Sequence, residues 1–149
     1  EKCVLLSQHK LMLSNNEIHT EFGPDTPTVW GDANQIQQAL INLIFNAIDA
    51  MPEGGEIRLG CRPLTDKGLV EITVADTGRG IADKDLQQIF DPFYSTKTEG
   101  KGLGLGLSVV YGIIDRHKGK IYVNSQINKG TMFTIWLPAA EGAVQSKSA

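Results

Sequence analysis

The stretch Gln35 to Met51, QIQQALINLIFNAIDAM, limits what this chain can fold into more than any other. It reads as one helix. At about 100° per residue, Gln35, Gln38, Asn42, Asn46 and Asp49 fall within roughly a quarter-turn of one another. Opposite them lie Ile36, Leu40, Leu43, Ile44, Ala47 and Met51, with Ile41, Phe45 and Ile48 on the flanks. A helix apolar over most of its circumference must be largely buried. A solvated stripe would carry Lys and Glu, whereas this one is carboxamides and one carboxylate. Asn is a mediocre helix former, because its side chain competes for the backbone. Two readings stay open from the helix alone. The stripe faces a metal ion or polar ligand, since such oxygens suit Mg²⁺, or it is a hydrogen-bonded seam between helices.

The rest of the chain supplies a sheet for that helix to cover. Residues 1–13 have the pattern of a short helix, and Ile18 to Phe22 alternates like a strand. Val29-Trp30 is a candidate for a brief pairing after the turn cluster at 23–27. Asp32 is placed to cap the long helix, with Gln35 at its third position as in a capping box, and Pro52-Glu53-Gly54-Gly55 ends it. Glu56 to Arg62 and Leu69 to Ala75 alternate as an antiparallel pair. A short helix is expected over Ala82 to Ile89 and another over Leu107 to His117. Lys120 to Ser125 and Thr131 to Leu137 are expected strands, joined at Asn128-Lys129-Gly130. The polar stretch 139–149 has nothing to bury and is expected to be disordered. These elements predict an α+β fold: a two-layer α/β sandwich with a mixed, mostly antiparallel sheet and helices on one face. The expected organisation is a lead-in over 1–27, a domain over 28–138 and the tail.

Composition excludes several function classes. The net charge of −3 gives no support for a nucleic-acid partner. Cys3 and Cys61 form no pair motif and suggest neither disulfide nor zinc. No apolar run approaches a membrane span. A chain beginning at Glu1 rather than Met reads as a piece of a longer protein.

Three further segments carry chemistry. Asp76-x-Gly78-x-Gly80 sets a carboxylate at a strand end, able to accept from an amino group such as that of adenine, with glycines that permit close backbone approach; alternatively it is a Gly-rich turn. Gly100-Lys101-Gly102-Leu103-Gly104-Leu105-Gly106 leads into a helix, where exposed N–H groups suit phosphate oxygens. Six of the sixteen glycines fall between Gly78 and Gly106, the composition of a mobile lid. Between them, Phe90-Asp91-Pro92-Phe93-Tyr94-Ser95-Thr96-Lys97 offers aromatics that need a core and a lysine able to reach a phosphate.

In this order the segments resemble the N, G1, F and G2 boxes of the catalytic, ATP-binding domain of bacterial two-component sensor histidine kinases. The matching stretches are Asn42 to Met51, Asp76 to Ile81, Phe90 to Lys97 and Gly102 to Val109. That family shares a superfamily with gyrase, the ninety-kilodalton heat-shock chaperone and mismatch-repair ATPases. Gly130-Thr131-x-Phe133 resembles the family's last strand. The resemblance implies that Asn46 holds Mg²⁺ against the phosphates of ATP, with Asn42 and Asp49 on the same face. It implies that Asp76 reads the adenine amine, that Gly78, Gly80, Ile81 and Thr131 shape the pocket, and that Thr96, Lys97, Lys101 and the lid residues Gly102, Leu103, Gly104, Leu105 and Gly106 lie near the nucleotide. Asn42, Asn46 and Lys97 are the expected catalytic residues.

Three positions depart from the commoner pattern: Asp49-Ala50 replaces Lys-Tyr, and Leu103 replaces Thr. No histidine has the family's acceptor setting: His9, His19 and His117 are followed by Lys10, Thr20 and Lys118. The implied partners are therefore an upstream dimerisation and phosphoacceptor domain of the same protein and a response regulator receiver domain, with the full protein a homodimer. The implied location is the cytoplasm, including the cytoplasmic part of a membrane-bound sensor. Alternatives are a gyrase- or chaperone-type ATPase, a serine kinase of the same fold and a non-catalytic nucleotide sensor. Against the first, the ATPases carry Glu one turn before the metal-binding Asn, and here that position is Asn42.

Overall fold

The computed structural model describes residues 16–22, 29, 31–64, 67–86, 88–90 and 106–139. The expected N-terminal helix, the 23–27 turn, Trp30, the segment 91–105 and the tail from 140 onward lie outside them. In chain order the elements are β1 (Asn16–Phe22), α1 (Ala33–Asp49), β2 (Gly55–Leu64), β3 (Leu69–Asp76), α2 (Asp83–Leu86), α3 (Gly106–Arg116), β4 (Lys120–Gln126) and β5 (Gly130–Pro138).

The strands form one five-stranded sheet in the order β1-β2-β3-β5-β4. β1 runs parallel to β2, from Asn16 opposite Gly55 to Phe22 opposite Cys61. A parallel neighbour needs a long crossover, and the chain between these strands contains α1. All other pairings are antiparallel. Val29 bridges Ala139, the brief pairing expected before Gly31.

Period-two alternation turns Ile57, Leu59, Val74, Phe133, Ile135 and Leu137 to one face of the sheet. There they bury Ala39, Leu43, Ile44, Ala47 and Ile48 of α1 and Val110, Ile113 and Ile114 of α3 in a single core. Phe133 is among the largest fully buried side chains, so truncating it to Ala would cost about 3–5 kcal/mol. The opposite face is polar and aromatic. Arg62 meets Glu71 at 2.7 Å, the Trp136 indole donates to Glu71 at 3.0 Å, Tyr122 packs edge-on to Trp136, and the Lys67 ammonium lies over the Trp136 ring.

Two helices differ from expectation. α1 ends at Asp49 rather than Met51. Ala50 N–H divides its bond between Asn46 O and Ala47 O, and Met51 N–H reaches Ile48 O, so the last turn tightens. Pro52 then disfavours helical geometry at Met51. α2 covers Asp83–Leu86, not the whole of 82–89. Its flanking bonds, Asp85 N to Ala82 O and Gln88 N to Asp85 O, span three residues and belong to turns.

Candidate functional site

The site is built where β3 ends. Asp76 is the last residue of the strand and is only 9% exposed. Its Oδ1 accepts from Gly78 N–H at 2.8 Å, and the carboxylate also accepts from the backbone of Thr131, its register partner on β5. Burial is the largest influence on this carboxyl and pushes its pKa up; the Gly78 and Thr131 amides and the Arg79 charge pull the other way without cancelling it.

The loop after Asp76 is clamped from two sides. Arg79 N–H donates to Ala50 O at the end of α1, and Arg79 O accepts from Asn128 N–H in the β4–β5 turn. A Cβ on Gly78 would lie 2.6 Å from Ala50 O. Gly80 has φ of +75°, and a Cβ there would strike the Gln126 carbonyl. Both glycines therefore let this loop pack against protein backbone. Ile81 N–H is held by the Ser125 hydroxyl at 2.7 Å, which also touches Gly130 O at 3.1 Å and the Thr131 hydroxyl at 2.7 Å. Thr77 joins the loop to β2, accepting from Glu56 N–H at 3.2 Å.

The polar stripe of α1 faces away from this core, and its members behave differently. Asn42 Oδ1 accepts from Gln38 at 3.0 Å, and its amide reaches the carbonyl of Gly106, the first residue of α3, at 3.4 Å. Asn42 thus takes part in a hydrogen-bonded seam between the helices. Asn46 is half-buried, and its carboxamide makes no hydrogen bond among the described residues. Asp49 is half-buried at the helix end. A carboxamide oxygen with no hydrogen bond among the described residues fits Mg²⁺, which is commonly held by one or two protein oxygens plus phosphates and water.

Asp76, Gly78, Gly80, Ile81 and Thr131 are thus brought together, with the α1 C-terminal turn against them. Gly106 meets Asn42. Thr96, Lys97, Lys101, Gly102, Leu103, Gly104 and Leu105 lie outside the described residues. Phe90, one of the aromatics expected to need a core, packs on Tyr111 and Phe133 at ring separations of 5.5 and 6.3 Å. Sequence reasoning missed Ser125. Its signal was available: Ile121, Val123 and Ser125 share a phase, so a hydroxyl ends an inward apolar run. A separate group, Glu17, His19 and Glu56, gathers on the outer sheet face with ligand atoms within 4.8 Å of one another; Glu56 also pairs there with Arg58.

Residues 31–141 match the family of histidine kinase-, DNA gyrase B-, and HSP90-like ATPases. The chain belongs to this family. Among its members the chain is 43% identical over 142 residues to the sensor kinase CckA of Brucella abortus (strain 2308), a match covering 87% of this chain and 15% of CckA. It therefore spans a small part of the length of such relatives. The catalytic domain of histidine kinase ThkA superposes with a TM-score of 0.81 at 34% identity, covering 93% of this chain and 88% of that domain. ThkA in complex with the response regulator protein TrrA gives 0.76 at 29% identity, covering 93% and 38%. Full-length ShkA in complex with AMPPNP gives 0.82 at 28% identity, covering 93% and 28%. Family and fold make the chain a histidine kinase-type ATP-binding catalytic domain.

Proposed function

We propose that this domain binds Mg·ATP between α1, the Asp76–Ile81 loop and the start of α3, and presents the γ-phosphate to a histidine on another domain. The carrying observation is the buried Asp76 carboxylate, preorganised by two backbone amides at a strand end. When ionised it only accepts hydrogen bonds, so it matches the amine of adenine and repels the carbonyl oxygen of guanine. The AMPPNP held by ShkA, an ATP analogue, supports a nucleotide in this fold.

Magnesium would be held by the Asn46 oxygen with phosphate oxygens and water, and when bound it offsets phosphate charge. Asn42 ties α1 to the first residue of α3 and so sets the spacing of the two helices around the phosphates. Lys97 and Lys101 are proposed to face the phosphates, with the glycines from 102 to 106 as lid, Leu103 and Leu105 between them, and Thr96 and Asp49 at the edge. Phosphoryl transfer asks such a site mainly for positioning and charge stabilisation. A carboxamide at position 42 cannot take a proton from water, which favours transfer over hydrolysis.

The acceptor histidine is proposed to lie on an upstream dimerisation domain, with a response regulator as the next partner, as ThkA has with TrrA. The full protein is proposed to be a homodimer whose catalytic part works in the cytoplasm. Among the described residues no helix is long and apolar enough to cross a membrane. The test is to incubate the chain with Mg²⁺ and radiolabelled ATP. Saturable binding without self-labelling is expected. Absence of ATP binding, or a stable phosphohistidine on this chain alone, refutes the proposal.

A further inference from the structure

We propose that Ser125 sets the polarity of the Thr131 hydroxyl, making Thr131 a second acceptor beside Asp76 and so a determinant of adenine over guanine. The inference rests on Asp76 reading the purine edge, as proposed above. It follows from counting protons. A serine hydroxyl has one proton to give and two lone pairs to accept with. Ser125 is 8% exposed and Thr131 7%, so water is a poor substitute for either's partners.

Ser125 Oγ has three neighbours. Ile81 N–H, 2.7 Å away, donates to it and occupies one lone pair. Gly130 O, 3.1 Å away, accepts only, so it takes the single serine proton. The third neighbour is Thr131 Oγ1 at 2.7 Å. With the serine proton committed, that contact requires Thr131 to donate into the second lone pair. Every valence of Ser125 is then used.

The consequence falls on Thr131. Its proton points at Ser125, so the hydrogen-bonding capacity it retains is acceptance. It faces Asp76 across the β3–β5 ladder, and its own backbone amide donates to the Asp76 carboxylate. Two acceptors therefore stand side by side on adjacent strands. An exocyclic amine has two protons and satisfies such a pair, whereas a guanine carbonyl oxygen would meet lone pairs only. Ser125 touches no ligand in this scheme. It is a positioning residue that acts through Thr131.

The experiment measures ATP and GTP dissociation constants by calorimetry on the whole chain. The variants are Ser125→Ala, the near-isosteric Ser125→Cys, Thr131→Val, the Ser125→Ala/Thr131→Val pair and Asp76→Asn. In Ser125→Ala the Thr131 proton is released and can turn toward guanine. The preference for ATP over GTP should fall about tenfold, with GTP binding strengthening. A merely structural defect weakens both nucleotides together and leaves the ratio in place. Ser125→Cys, a weak donor and acceptor of similar size, should behave like Ser125→Ala and gives the measurement if the smaller side chain unfolds the strand. In the Thr131→Val background, Ser125→Ala should change the ratio less than about twofold. A parental ratio in both Ser125 variants, or an undiminished Ser125 effect without the Thr131 hydroxyl, overturns the inference. Asp76→Asn separates the two levels: if it leaves the ATP/GTP ratio unchanged, the adenine reading itself fails, and if it collapses the ratio while the Ser125 variants do not, only the role of Ser125 fails.

Discussion

The Nε2 atom of His117, just past the end of α3, accepts a hydrogen bond from the backbone N–H of Asp32 at 3.0 Å, while its Nδ1 lies 2.7 Å from Ile113 O. The neutral ring protonated at Nδ1 satisfies both contacts at once. Asp32 is the N-cap of α1 and accepts from Asn34 and Gln35 N–H through its carboxylate. A capping box would satisfy the N-cap amide with Gln35. Here an imidazole just past α3 does so, locking the start of α1 to the end of α3.

His117→Ala should therefore destabilise the domain by about 1–3 kcal/mol, the net value of two hydrogen bonds, read as a lower melting temperature. The variant also exposes a coupling. A Cβ on Gly31 would run into the His117 ring, so Gly31→Ala should be destabilising in the parent and less so in His117→Ala, where the positive φ of Gly31 and the nearby Ile36 side chain still cost. Additive losses in a double-mutant cycle would show that the ring does not fill that space.

Much of this arrangement was legible in the chain. α1, its Asp32 cap, five strands in alternation and the brief Val29 pairing all follow from periodicity and turn chemistry. What was not legible depends on distant partners. His117 as the companion of Asp32 is separated from it by 85 positions, and no local pattern encodes that meeting. The partner and direction of β1 were likewise hidden, since alternation assigns a face but not a neighbour. Gly78 and Gly80 were legible as glycines that something approaches closely. That the approaching groups are Ala50 and the Gln126 backbone could not be read from spacing. The helix α2 came out short because its turns satisfy their amides over three residues, a choice propensity scarcely distinguishes.

On the proposed contact of Asp76 with the base, nucleotide binding carries a pH dependence. Burial raises its folded-state pKa, so the folded domain keeps this proton to higher pH than the unfolded chain does. Its contribution to stability is present below the unfolded value of about 4 and is lost as pH rises through the raised folded value. Binding runs the other way, because only the ionised form accepts at both oxygens. ATP affinity should rise with pH through that window while the free domain becomes less stable, and binding should release protons. Calorimetry in buffers of different ionisation enthalpy measures that release. In Asp76→Asn the binding dependence should vanish and the stability profile should lose only the Asp76 contribution; an unchanged binding dependence would assign it to another group.

Glu71 works with the opposite sign. Burial pushes its carboxyl up, but the Trp136 indole and Arg62 together more than compensate, leaving it below the ordinary range. The stability it supplies is present above the unfolded pKa and is lost as pH falls through the depressed folded value. Glu71→Gln should thus cost stability at neutral pH and progressively less in acid. The cost is modest, since Arg62 is two-thirds exposed and solvent screens the pair. Urea melts of parent and variant at a series of pH values should converge at the acid end. A constant difference would mean that the lost interaction is packing rather than charge.

The two asparagines of α1 should separate cleanly on mutation, because among the described residues the carboxamide of one is engaged and that of the other is not. Asn42 spends its carboxamide on Gln38 and on the Gly106 carbonyl. Asn42→Ala removes both contacts, so it should lower the melting temperature of the nucleotide-free domain, with a cost near 1 kcal/mol. Asn46 has no such contact among the described residues, so Asn46→Ala should leave that melting temperature within about 1 °C, a surface-like effect. Its loss should appear only with metal. Titrating ATP with Mg²⁺ present and then with EDTA gives, in the parent, a gain in affinity attributable to the ion. Asn46→Ala should abolish most of that gain while leaving metal-free ATP and adenosine binding unchanged, since the proposed contact of Asp76 with the base is untouched. A ligand one turn away cannot compensate in Asn46→Ala without giving up the bond that Asn42 Oδ1 accepts from Gln38. If Asn46→Ala instead weakens adenosine and ATP alike, with or without metal, the residue shapes the pocket rather than holding the ion.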